Sequence, residues 1–118
     1  MSHYVLVVDD DPAIRDLVEA ILLDEGHDVA IASNGIEALR LATLHRPALI
    51  LLDMRMPVMD GWQFAQAYRS TPAPHAPVVC VTAAVDAPRW AAEIGADGTL
   101  GKPFSIDDLL RVVAEHAI

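Results

Sequence analysis

Residues 48–61 read ALILLDMRMPVMDG, and the fold of the whole chain turns on them. Ala48 to Leu52 is a short, continuous apolar run between Pro47 and Asp53, which predicts a strand buried on both faces. In an open α/β sheet, ligands bind in the crevice beyond the carboxyl ends of the strands, so an acid ending such a run is placed for chemistry. Taken alone, an Asp after an apolar strand is more often a turn or helix-capping residue. Pro57, Asp60 and Gly61 then form a turn-rich loop, and Trp62 to Ser70 return as a helix.

Outward from this stretch the same alternation repeats. Tyr4 to Val8 is an apolar, β-branched run that ends in Asp9, Asp10 and Asp11. Asp11 can cap a helix that has Pro12 at its first position, where the missing N–H costs nothing. Ile14, Leu17, Val18, Ile21 and Leu22 recur at helical spacing, which predicts a buried face opposite Arg15, Asp16 and Glu19. Gly26 stops that helix. Asp28 to Ala32 is the next strand, and Ser33-Asn34-Gly35 turns into a helix from Ile36 to His45.

Downstream, TPAPHAP at 71–77 is short enough for an ordinary helix-to-strand loop. Val78 to Val81 is the fourth strand, with Thr82 at its end. A loop from Ala83 to Pro88 leads to a short helix, Arg89 to Ile94, and Thr99-Leu100 is a minimal fifth strand reaching Lys102. Ser105 and Asp108 have capping-box spacing, before a helix with Ile106, Leu109, Leu110 and Val113 on one face. Five strand–helix alternations predict a parallel α/β sandwich joined by right-handed crossovers. Asp9, Asp10, Asp53, Thr82 and Lys102 would then share one crevice.

Composition narrows the function. The 118 residues make one domain, 1–118, long enough for a core without metal or disulfide staples. Hydrophobic residues are 53% and aromatics 5%, so the core is mainly aliphatic. The net charge of −9 and pI of about 4.7 exclude nucleic acid and anionic membrane as direct partners. The acidic excess is steeper in residues 1–59, where ten acids meet four bases, so the early carboxylates dominate the field. The single cysteine, Cys80, is expected to be a core thiol. MSHYVLVVDDD has no basic flank, and no window has the ~20 apolar residues of a membrane span, so a soluble, cytoplasmic protein is expected.

Gathered carboxylates repel one another and favour a cation between them; all-oxygen donors favour a hard ion such as magnesium. Lys102 is the only lysine and stands directly before Pro103. As a point charge it suits an anion or a salt bridge with the acids. Asp53, Thr82 and Lys102 beside a metal form a set that can hold a phosphoryl group.

With those residues in place, the chain resembles the response-regulator receiver domain, the CheY-like phosphorylation module of two-component signalling. The match runs through VVDDDP (7–12), NGIEAL (34–39), LLDMRMPVMDG (51–61), VTA (81–83), GAD (95–97) and KPF (102–104), covering essentially the full length. The resemblance implies a doubly wound, flavodoxin-like sandwich: a five-stranded parallel sheet of order 2-1-3-4-5 flanked by five helices. It implies that Asp53 accepts a phosphoryl group from a sensor histidine kinase, a histidine phosphotransfer protein or a small donor, as a signalling event and not as a dedicated enzyme. It also implies Mg2+ bound by Asp10, Asp53 and the backbone carbonyl of Arg55, with Asp9 acting largely through water. Thr82 would bond the phosphoryl group and Lys102 pair with it, and Lys102-Pro103 would be a cis peptide. The face of the fourth helix, fifth strand and fifth helix would meet a downstream protein or a second copy.

Departures from that pattern are specific. Many receivers have an aromatic ring three residues before the lysine, whereas this chain has Thr99, so the ring-based switch is in question. Trp90, on the preceding helix, is expected to pack against the sheet or to carry part of the signal. The Ala83–Pro88 loop is short for the family, and Arg55 and Ala84 hold the positions that influence phosphoryl lifetime. EHAI ends this sequence with no output domain, which fits a stand-alone receiver or a portion of a longer protein. A phosphohydrolase would need an acid where Arg55 stands, and a nucleotide site would need more than Gly101-Lys102-Pro103. A receiver that binds partners without phosphorylation stays open.

Overall fold

The computed structural model describes residues 3–118. In chain order the elements are β1 (Tyr4–Val8), α1 (Pro12–Asp24), β2 (Asp28–Ala32), α2 (Gly35–Leu44), β3 (Leu49–Leu52), α3 (Gly61–Arg69), β4 (Val78–Ala83), α4 (Ala87–Ile94), β5 (Gly98–Lys102) and α5 (Ile106–His116). The strands form one sheet in the order β2-β1-β3-β4-β5, and every pairing is parallel.

Strand alternation divides the core in two. Val5, Val7, Leu49, Leu51, Val79, Val81 and Leu100 meet Val18 and Leu22 of α1 and Leu109, Val112 and Val113 of α5. Leu6, Val8, Ile50, Leu52, Val78 and Cys80 point the other way, onto α2, α3 and α4. This is the three-layer sandwich, and it explains why β1 and β3 read as unbroken apolar runs: both of their faces are covered. Each such side chain removed from water contributes about 1.5–3 kcal/mol, which fixes the strand ends against one another.

Local chemistry accounts for most element boundaries and corrects several expectations. Asp11 caps α1 through the Ala13 N–H, and Asn34 caps α2 through the Glu37 N–H. The reciprocal capping box belongs to α3, where Asp60 accepts from the Gln63 N–H while the Gln63 side chain accepts from the Asp60 N–H. Ser105 makes only the forward half of its box, to Asp108 N–H. α4 begins at Ala87 and not Arg89, because Pro88 fits the first helical turn instead of stiffening the loop before it. β5 is five residues long, since pairing with β4 through Gly98, Thr99, Leu100, Gly101 and Lys102 continues past the two expected. Leu17 and Ile106 lie more than half exposed, at the edge of their helices' apolar stripes and not in the core. Lys102-Pro103 is cis, as is Ala73-Pro74 in the proline-rich connector.

Candidate functional site

Asp9 follows directly on β1, and its backbone N–H bonds to Ala32 O on β2 at 3.1 Å. Asp53 follows on β3, with its N–H on Val8 O of β1 at 2.9 Å. These two bonds extend the sheet by one residue on neighbouring strands and bring the carboxylates together. One oxygen each from Asp9, Asp10 and Asp53 lies within 4.8 Å of the others. Asp9 and Asp53 are buried, and Asp10 is exposed at the mouth.

Lys102 reaches this cluster from the last residue of β5. Its Nζ donates to Asp9 Oδ2 at 2.7 Å and lies 3.7 Å from Asp53 Oδ1. The expected salt bridge is therefore formed, and it runs mainly to Asp9. The other Asp9 oxygen accepts from the Asp11 N–H at 2.9 Å. On Asp53, Oδ1 accepts from the Met54 N–H at 2.9 Å, whereas Oδ2 has no hydrogen-bond donor among the described residues. The free valence of the site is thus concentrated on Asp10 and on Asp53 Oδ2.

Electrostatics follow from this crowding. The Asp53 carboxyl is pushed up to about 7, first by burial and then by the charge of Asp9, against the pull of Lys102 and the Met54 N–H. Burial works against the Lys102 charge, but its hydrogen bond to Asp9 and the fields of Asp53, Asp9 and Asp11 outweigh it and raise the ammonium above its ordinary value. Three carboxylates against one ammonium leave the cluster net negative. An all-oxygen, net negative set open at Asp10 fits a hard divalent cation.

Thr82 is buried near the end of β4, opposite Gly101 on β5. Leu52 pairs with Cys80, so Thr82 stands one step further along the strand direction than Asp53. Arg55 is exposed, and its guanidinium lies over the Trp90 ring at 5.1 Å from the centroid. Sequence reasoning missed Arg15: it is half-buried, not on the open face, and its Nη1 donates to the Asp9 carbonyl at 3.0 Å. Its place one helical turn after Asp11 was the available signal. Cys80 is buried as expected, its thiol pushed up to about 11 by burial and then by Asp53.

A family model described as "Response regulator receiver domain" matches residues 5–114. The chain belongs to the response regulator receiver domain family. The receiver is 38% identical over 112 residues to the response regulator MprA of Mycobacterium ulcerans, covering 93% of this chain and 48% of that protein. It therefore spans about half the length of the curated relatives it matches. Among solved structures, the chemotaxis protein CheY4 of Vibrio cholerae superposes with a TM-score of 0.82 at 33% identity, covering 98% of this chain and 99% of that one. The receiver domain of NtrX from Brucella abortus gives 0.85 at 33% identity, covering 95% and 96%.

The acidic cluster of this receiver suits the phospho-accepting, cation-binding signalling role of its family, which is not that of a dedicated enzyme. Among the described residues, no helix is long and apolar enough to cross a membrane.

Proposed function

We propose that Asp53 is the phospho-acceptor, taking its phosphoryl group from a phosphohistidine of a sensor histidine kinase or histidine phosphotransfer protein. The observation that carries this is the arrangement of Asp53 itself: one oxygen held by the Met54 N–H, the other without a donor, and an ammonium within reach. Asp53 Oδ2 is the nucleophile. The new Oδ2–P bond forms as the histidine N–P bond breaks, and the imidazole nitrogen recovers its electron pair and a proton.

Mg2+ is the cation the donor set fits, and Asp10, Asp53 and the Arg55 carbonyl would hold it. Both Asp9 oxygens already accept from protein donors, which supports a role for Asp9 through water. When bound, the ion supplies positive charge against the phosphoryl oxygens. Lys102 supplies positive charge beside the Asp53 carboxylate, and the Thr82 hydroxyl offers a donor. Binding of a downstream protein or a second copy through α4, β5 and α5 is the output that follows from the family.

Phosphoryl uptake from acetyl phosphate, followed against magnesium concentration, tests these roles. Uptake should require magnesium and slow at least tenfold in Lys102→Met, with a smaller loss in Thr82→Ala. Uptake at the wild-type rate in Lys102→Met would contradict the assignment. A phosphorylation-independent binding role draws its support from Thr99, which is small and exposed on β5, so no ring there can move between two positions.

A further inference from the structure

Thr99 leaves open how the state of Asp53 reaches the surface, and the Arg55–Trp90 contact answers it. We propose that Arg55 is a two-position phosphoryl-binding arm parked on Trp90 at rest, so that Trp90 in α4 reads the state of Asp53. The inference rests on Asp53 being the phospho-acceptor.

Arg55 stands two residues past Asp53, in the loop between β3 and α3. That loop is pinned at its base: Asp53 N–H bonds to Val8 O, Gly61 N–H bonds to Met54 O, and the Met54 side chain is fully buried. The Arg55 side chain is instead exposed and makes no ion pair among the described residues. Beside a net negative crevice it stays on an aromatic face, at 5.1 Å from the ring centroid.

A cation over a ring at an exposed position is a weak attachment compared with a charge-assisted hydrogen bond to a phosphoryl oxygen. Phosphorylation adds close to two negative charges and three strong acceptors beside the arm's own root. The equilibrium between the two positions then shifts to the phosphoryl group, by the difference in affinity of Arg55 for the two sites. Arg89 remains within 5.8 Å of the Trp90 centroid, so the ring keeps one cation and loses the other.

Trp90 is well placed to pass this on. It is buried and packs edge-on against Trp62 of α3, with centroids 4.9 Å apart and planes at 67°. Trp62 Nε1–H in turn donates to Glu93 Oε1 of α4 at 2.9 Å. The two tryptophans and Glu93 tie α3 to α4, so release of Arg55 alters the contact between those helices. This places the readout on the α3–α4 side of the molecule, without a ring on β5.

The chain has two tryptophans, so Trp62→Phe leaves Trp90 as the only indole. In that background, proteins with Arg55, Arg55→Met and Arg55→Lys are treated with acetyl phosphate and magnesium, and intact mass and Trp90 emission are recorded on the same samples. Expected is a change of emission on phosphorylation with Arg55, reduced at least twofold in Arg55→Met and partly restored in Arg55→Lys. Equal emission changes in the Arg55 and Arg55→Met proteins, at equal phosphoryl gain, would overturn the inference while leaving the acceptor assignment standing. Absence of any phosphoryl gain in the Arg55 protein would overturn both.

Discussion

The Asp53 carboxyl keeps its proton to about pH 7 because burial and the Asp9 charge outweigh Lys102 and the Met54 N–H. In the unfolded chain the same group titrates near its ordinary value, about 3.9. Between those two values the folded protein holds a proton that the unfolded chain has lost, so this contribution to stability falls as pH rises from about 4 to about 7. In EDTA, Asp53→Asn should match the wild type near pH 4 and exceed it by on the order of 4 kcal/mol at pH 8, as measured by urea denaturation. A constant difference across that range would contradict the electrostatic picture. Removing the counter-charge acts the other way: in Lys102→Met the Asp53 carboxyl should titrate at higher pH still, followed by carboxyl carbon resonances. Asp53 was legible in the sequence because it ends an apolar strand run, and Lys102 because it is the only lysine and stands at a strand end directly before Pro103. The Met54 and Asp11 N–H groups that hold the carboxylates were not, since backbone donors carry no residue signature.

Among the elements, the β3–α3 loop carries the clearest strain. Val58 has φ of 70°, the left-handed region that a β-branched residue enters at a cost of roughly 1–2 kcal/mol, and its side chain is exposed. Val58→Asn should therefore stabilise the fold by about 0.5–1 kcal/mol in chemical denaturation, since Asn tolerates this conformation. A destabilised Val58→Asn would mean that the valine has a packing role the exposed position does not suggest. Gly61 is required for another reason: a Cβ there would lie 2.6 Å from Met54 Sδ and 2.7 Å from Met54 Cα. Gly61→Ala should cost about 1–3 kcal/mol and slow phosphoryl uptake, because the displaced backbone adjoins Asp53. Elements as such were readable from periodicity and caps. Their edges were not: helical spacing put Leu17 and Ile106 on buried faces, but whether the end of a stripe is covered depends on neighbouring elements. Pro88 read as a loop residue although it lies in the first turn of α4, because proline suits both places.

At the scale of the whole molecule, the sheet order puts β1 and β3 side by side at the centre, with both faces covered. This turns two acids far apart in sequence into neighbours, and β5 brings Lys102 to them across the crevice. The strand order itself came from family resemblance and not from the apolar pattern, which cannot say which strands adjoin. Composition anticipated the mainly aliphatic core, whereas the Trp62–Trp90–Arg55 group, the main aromatic feature beside the site, arises only from the folded arrangement of α3 and α4. The central claim is that Asp53 is the acceptor of a magnesium-dependent phosphoryl transfer. The most direct test is intact mass after incubation with acetyl phosphate, with and without magnesium, on the wild type and Asp53→Asn together. Expected is the gain of a single phosphoryl group by the wild type with magnesium, and none in the other three samples. Equal gain by Asp53→Asn, or no gain by the wild type under conditions that label other receivers, would contradict it.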